Sequence, residues 1–197
     1  MPRRERKITH ADILPMADYG DMRKTKRAEI AVVKKSRRLS VGPYATFYFE
    51  NYDTMWMQIH EMLFIEKGGE EQIADELRAY NPLIPQGNEL VATVMFEIED
   101  QARRDRELRR MGGVENFVAL KVGGETVKAV SESEVERTTD DGKTSSVHFF
   151  HFPFTSAQIA AFRDPATEVL AVISHANYGH MAMMPAAMRE ALAKDFA

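Results

Sequence analysis

The chain has 197 residues, 44% of them hydrophobic, no cysteine and a formal net charge of −4. That length and apolar content support a sizeable core, removing roughly 70% of the surface an unfolded chain exposes. The lack of cysteine excludes disulfides, thiolate metal sites, iron–sulfur clusters ligated by this chain and cysteine nucleophiles. No apolar stretch of membrane-spanning length occurs, and the opening MPRRERKITHADILP has no secretory pattern, so a soluble cytoplasmic protein without membrane contact is expected.

Charge is distributed unevenly. Residues 1–38 hold 12 Lys and Arg against 5 Asp and Glu, a balance of +7, whereas residues 39–197 hold 14 against 25, a balance of −11. Such a split suggests that the basic segment docks on the acidic body or meets an anionic partner. Apart from Tyr19 the segment lacks aromatic side chains for base stacking, which favours docking or solvation over nucleic acid.

In chain order, residues 21–37 read as a helix with Ile30 and Val33 on a thin apolar stripe. Gly42-Pro43 then breaks the chain before the strand YATFYFE (44–50). Asn51 and Asp53 offer N-caps for a helix over about 54–67, whose buried stripe is Met55, Trp56, Ile59, Met62 and Leu63. Gly68-Gly69 ends it, a second helix over 70–80 buries Ile73 and Leu77, and the prolines of NPLIPQGN stop that one. ELVATVMFEIE (89–99) alternates, with Leu90, Ala92, Val94, Phe96 and Ile98 on one face and a mixed set on the other. Asp100 caps the charged helix QARRDRELRRM, and strands near 116–122 and 125–130 flank Gly123-Gly124 as a hairpin. An acidic stretch and the turn DDGK (140–143) lead to strand 145–154. Thr155 and Gln158 form a capping box for a short helix, followed by strand 168–174 and a helix near 185–195.

This order implies an α+β fold around one mostly antiparallel, mixed sheet. From residue 89 onward the β-α-β-β…α-β sequence resembles a ferredoxin-like order with an extra strand. Two regions are expected: residues 1–85, an N-terminal helical layer with one strand, and residues 86–197, the sheet domain, the two packing as one unit.

Four of the six histidines fall in the last 50 residues, and imidazole is both the commonest metal ligand and a base near neutral pH. In strand 145–154, His148 and His151 are three apart and therefore point to opposite faces, with His148 on the side of Phe150, Phe152 and Phe154. If strands 145–154 and 168–174 were joined as a parallel crossover, His148 and His175 would lie about 20 Å apart at roughly 3.3 Å per residue. His175 ends a strand and His180 follows a turn-prone loop, with Met181, Met183 and Met184 next. Imidazole with thioether suits a soft ion such as copper(I), although a loop followed by a Met-rich helix face explains the same letters. His175 and His180, with His148, Glu61 or Glu66 completing the shell, make up the candidate transition-metal site. No cofactor is otherwise evident.

The zinc-protease reading of His60-Glu61 fails because Phe64 stands where the second histidine is required. Glu-x-x-His di-iron chemistry fails as well, since no histidine is preceded by Glu at the third residue before it. Walker, dinucleotide-binding and G-x-S-x-G motifs are absent. A polar set remains beside the apolar stripe of the 54–67 helix and on the next turn, Gln58, His60, Glu61, Glu66, Tyr80 and Asn81, and it is the candidate partner- or ligand-binding surface.

KKSRRLSVGP (34–43), FENYDTMWMQIHEML (49–63), ELRAYNPLIP (76–85), VHFFHF (147–152) and HANY (175–178) together resemble an uncharacterised bacterial family, the domain-of-unknown-function family 3501. The resemblance runs across nearly the whole chain and carries no catalytic residue. It implies a gene context beside a rubrerythrin-like protein and an iron–sulfur oxidoreductase, and hence a non-catalytic accessory protein in a redox or oxidative-stress system. Contact with such a protein partner is expected through the basic N-terminal segment and the Gln58–Asn81 surface. Metal binding through His175 and His180, and nucleic-acid binding through residues 3–38, are the alternatives, and self-association stays open.

Overall fold

The computed structural model describes residues 6–132, 138–139 and 141–197. The start of the basic segment, most of the acidic stretch and Asp140 of the expected turn lie outside the described residues.

The fold is α+β, with every strand pairing among the described residues antiparallel. Helix α1 (Met16–Lys35) leads into β1 (Arg38–Val41) and β2 (Ala45–Phe49), then α2 (Tyr52–Glu66) and α3 (Gly69–Tyr80). After β3 (Glu89–Phe96) come α4 (Gln101–Arg110), β4 (Val118–Val122), β5 (Glu125–Lys128), β6 (Val130–Ser131) and β7 (Val147–Pro153). The chain closes with α5 (Ser156–Arg163), β8 (Val169–His175), β9 (Tyr178–Met183) and α6 (Ala186–Leu192).

The β-α-β-β…α-β order is present, but its strands divide between two sheets instead of forming one. One sheet runs β1-β2-β3-β7-β6 and the other β5-β4-β8-β9. Strands β7 and β8 therefore belong to different sheets and are not neighbours. The switch is local: the Ala129 amide still bonds Val118 of the second sheet, while Val130 already pairs with His151 of the first. The first sheet takes β1 and β2 from before residue 86 and β3, β6 and β7 from after it, so its ladder spans that position.

The inner faces of the two sheets meet in one core. Phe47 and Phe49 of β2, Leu90, Ala92 and Val94 of β3, and Phe150 and Phe152 of β7 pack with Leu120, Ala171 and Ile173 of the second sheet. Leu108, Phe162, Met188 and Leu192 from α4, α5 and α6 add to it. Each such large side chain removed from water contributes about 1.5–3 kcal/mol. The outer face of the first sheet is covered by the helical layer, where Val91 meets Ile59, Leu63 and Leu83.

Helix α2 is capped as the sequence predicts: the Asn51 side chain accepts from the Thr54 amide at 2.9 Å. Its buried surface is wider than one stripe. Met55, Ile59 and Leu63 face the sheet, but Met57 and His60 are also buried, because α1 packs along a second side. Helix α1 starts at Met16, five residues before the expected position, since Pro15 takes its N-cap.

Two strands differ from expectation. Gly42-Pro43 does not simply precede a strand; it turns a hairpin, and β1 precedes it. The Ala/Met-rich C-terminal region is likewise preceded by β9, so residues 178–183 are a strand where a loop and a Met-rich helix face were expected. Met181 and Met183 alternate outward, both 61% exposed, and only Met184 and Met188 enter the core.

The two sheets are tied by Tyr178. Its hydroxyl accepts from the amides of Tyr44 (2.9 Å) and Ala45 (2.8 Å) and donates to the Val41 carbonyl (2.7 Å). Gly42 sits between these groups at φ +72°, and a Cβ there would fall 2.5 Å from the His180 ring and 2.8 Å from the Tyr178 hydroxyl. Gly42→Ala therefore combines left-handed backbone strain with a clash against a hydroxyl that three hydrogen bonds hold in place. A loss of about 1–2 kcal/mol in unfolding free energy by urea denaturation is expected.

Candidate functional site

The outer face of the first sheet carries even-numbered side chains of β2 and odd-numbered ones of β3 and β7. Where α2 and the turn after α3 do not reach it fully, a cleft of about 380 Å³ remains. Tyr48, Thr93, Met95, Val147 and Phe149 form its floor, Met55 and Gln58 of α2 one wall, and Tyr80 and Leu83 another. Lys34, at the end of α1, and Arg37 complete the lining.

Glu50 lies within this cleft, immediately after β2 and only 8% exposed. Strand alternation places it on the same side as Thr46 and Tyr48. One carboxylate oxygen accepts from Thr93 Oγ1 at 2.8 Å and the other from Thr54 Oγ1 at 2.6 Å. Thr54 is itself fixed, since its hydroxyl accepts from the Asn51 amide in the α2 capping box. Among the described residues no Lys, Arg or His stands within ion-pair distance of Glu50.

Arg37 does not supply that charge. Its Nε donates to the Phe49 carbonyl and its Nη2 to the Glu50 carbonyl, both at 2.9 Å, and the guanidinium is ion-paired with Asp195. Burial pushes the Asp195 carboxyl above the ordinary carboxylate range, and the Arg37 charge opposes that rise without cancelling it. Arg6 binds the Asp195 and Pro85 carbonyls beside this pair.

A second carboxylate, Glu97, stands on the same sheet face. Burial raises its proton affinity, but hydrogen bonds from Thr46 and Tyr48 (2.6 Å each), with Arg38 at 3.7 Å, bring it below the ordinary value. Tyr48, desolvated and donating to Glu97, is pushed up to about 12 and stays a phenol.

The predicted ligand-binding set divides into separate places. Gln58 and Tyr80 line the cleft, their side chains 3.4 Å apart. His60 faces the other way: its Nδ1 donates to the Trp56 carbonyl at 2.7 Å, its Nε2 accepts from the Leu14 amide at 3.0 Å, and burial lowers its proton affinity. Glu61 joins α1 to α2, accepting two 2.8 Å bonds from Arg23 and one of 2.6 Å from Tyr19, with Arg27 at 3.7 Å. Asn81 grips the Ile8 backbone through two bonds, and Glu66 accepts from Gln72 on the surface.

The predicted metal ligands also separate. His148 lies on the inner face, stacked on Phe150, with Nε2 2.9 Å from the Ser145 carbonyl. His151 is on the outer face, bonded to Glu89 at 2.9 Å, and that carboxylate raises its pKa. His175 and His180 share a face of the β8–β9 hairpin, yet His175 Nδ1 accepts from the Asn177 amide and its ring meets Phe117, whereas His180 packs on Tyr178. The rings of Phe96 and Tyr178 stand between His148 and His180. Among the described residues no three His, Asp or Glu side chains come together in a metal-binding group.

The family described as protein of unknown function (DUF3501) matches residues 7–196. The chain belongs to that family. The DUF3501 chain is also similar to a crystal structure of a novel protein of unknown function from Burkholderia pseudomallei K96243. The two are 34% identical, with a TM-score of 0.89, and the likeness covers 97% of this chain and 100% of the other. No curated protein matches the chain. Among the described residues of this DUF3501 protein, no helix is long and apolar enough to cross a membrane.

Sequence reasoning missed the residues that give the cleft its character. Arg37 reads as one more cation of the basic segment, and Thr93 as a mixed-face strand residue. Glu50 left one signal: a carboxylate closing an otherwise aromatic strand, directly before an N-cap.

Two consequences are measurable. The Arg23 and Tyr19 hydrogen bonds hold Glu61 down at about 2, against an ordinary 4.5, so its contribution to stability is complete above pH 4.5 and is lost as pH falls towards 2. In Glu61→Gln, the stability difference between pH 5 and pH 2.5, read from urea midpoints, is expected to shrink by about 1–3 kcal/mol. Asp195→Ala strands the buried Arg37 guanidinium and is expected to cost about 3–5 kcal/mol in the same assay at pH 7.

Proposed function

We propose that this DUF3501 protein is a binding protein whose site is the Glu50 cleft and whose ligand carries a positively charged nitrogen. The observation that carries the reading is a nine-tenths-buried carboxylate, opening on a cleft, whose side-chain partners among the described residues are two neutral hydroxyls and no cation. Both carboxylate oxygens are met by neutral hydroxyl donors, which satisfy their hydrogen-bonding capacity without bringing a counter-charge. An ammonium group entering the cleft supplies the missing counter-charge. The Tyr80 ring in the cleft wall suits such a guest, since a cation over a ring face is attracted by its quadrupole. A cleft of this volume, mostly apolar with a few polar groups, is the usual form of a small-molecule site.

A binding protein is compatible with the accessory place in a bacterial redox or oxidative-stress system, beside an iron–sulfur oxidoreductase or a rubrerythrin-like protein. That context rests on the family resemblance alone.

Isothermal titration with propylammonium and benzylammonium tests the reading. Saturable binding to the unaltered protein, weakened at least tenfold in Glu50→Gln, is the expected result. Heats of dilution alone for both compounds up to about 10 mM, or equal affinity in the variant, overturns it.

A further inference from the structure

The Glu50 cleft is also lined by a cation that has no side-chain partner among the described residues. Lys34 lies in the last turn of α1 and lines the same cleft, and its ammonium makes neither a hydrogen bond nor an ion pair among the described residues. It is also beyond ion-pair distance of Glu50. Arg37, the other cation of the lining, is engaged by Asp195 and by the carbonyls at the end of β2. One cleft thus presents a buried negative site and an exposed positive rim, with the thioethers of Met55 and Met95 in its walls.

We infer that the ligand is a zwitterion, an amino carboxylate whose ammonium sits on Glu50 and whose carboxylate reaches Lys34 across an apolar spacer. This rests on the binding role proposed above and narrows its ligand class. The anionic end is a monoanionic carboxylate and not a phosphate dianion. Phosphate is typically met by arginine forks or a helix N-terminus, and the cleft lining offers neither: Arg37 is engaged by Asp195, and Lys34 stands at the C-terminal end of α1. The arrangement also ranks the two contacts. Glu50 is desolvated and carries most of the affinity, while Lys34 is solvated and adds selectivity.

Titration calorimetry at low salt with glycine, β-alanine, γ-aminobutyrate and ε-aminocaproate, against propylammonium and pentylammonium, decides the matter in the unaltered protein, Lys34→Met and Glu50→Gln. The expected result is that at least one amino carboxylate binds about two- to fivefold tighter than the alkylammonium ions, the range an exposed ion pair supplies. Lys34→Met abolishes that advantage without changing alkylammonium affinity, and Glu50→Gln weakens both classes at least tenfold. Equal affinity of the two classes for the unaltered protein, or an advantage that survives Lys34→Met, overturns the zwitterion while leaving the cationic site intact. Failure of every compound to bind removes both.

Discussion

The Arg37 guanidinium, buried and paired with Asp195, fixes the edge from which the cleft is built. It joins three stretches distant in sequence: the α1–β1 junction, the end of β2 through the carbonyls of Phe49 and Glu50, and the C-terminal tail. Burying this pair has a desolvation cost, and the backbone acceptors are what make the geometry tolerable. Glu50 projects from the backbone that Arg37 grips. Its side chain therefore points into the cleft with the rigidity of an anchored strand end and not with the freedom of a loop.

Strand β3 supplies the second constraint. It is covered on both faces, by the second sheet through Leu90, Ala92 and Val94 and by α2 through Val91. Two cores of different character share this strand. The inter-sheet core is dry and rich in phenylalanine. The helix–sheet interface is less complete, and its polar residues, Thr93 from β3 and Thr54 from α2, turn their hydroxyls to one carboxylate.

The split of charge along the chain has a structural outcome within the molecule. Arg23 and Arg27 meet Glu61, Arg37 meets Asp195, and Arg38 approaches Glu97. Helix α1 buries only Tyr19, so the Arg23 and Arg27 pairs with Glu61 do much to orient it on α2. Lys34, at the end of that helix and beside the cleft, has no such carboxylate partner among the described residues.

Local patterns carried far. The alternation of 89–99, the Asn51 and Thr155 caps, the Gly123 turn and the opposite faces of His148 and His151 are all legible in the letters, because each depends on the period of a strand or on the chemistry of one turn. Neither β1 nor β9 is legible in that way. RLSV is short and lies in a basic run, and YGHMAM has a Gly and no β-branched residue, so pairing with β2 and β8 decides both. The division of one strand order into two sheets is equally non-local, since it depends on which strand Val130 meets after Ala129. By itself the sequence determined an α+β chain of definite periods and caps, and it removed cysteine chemistry and the familiar catalytic motifs. Only the tertiary structure decided that His175, His180 and His148 pack on separate partners and that Glu50, Thr54, Thr93 and Lys34 meet at one cleft. A convergence of residues from α1, β2, α2 and β3 is a property of packing, which no local pattern encodes.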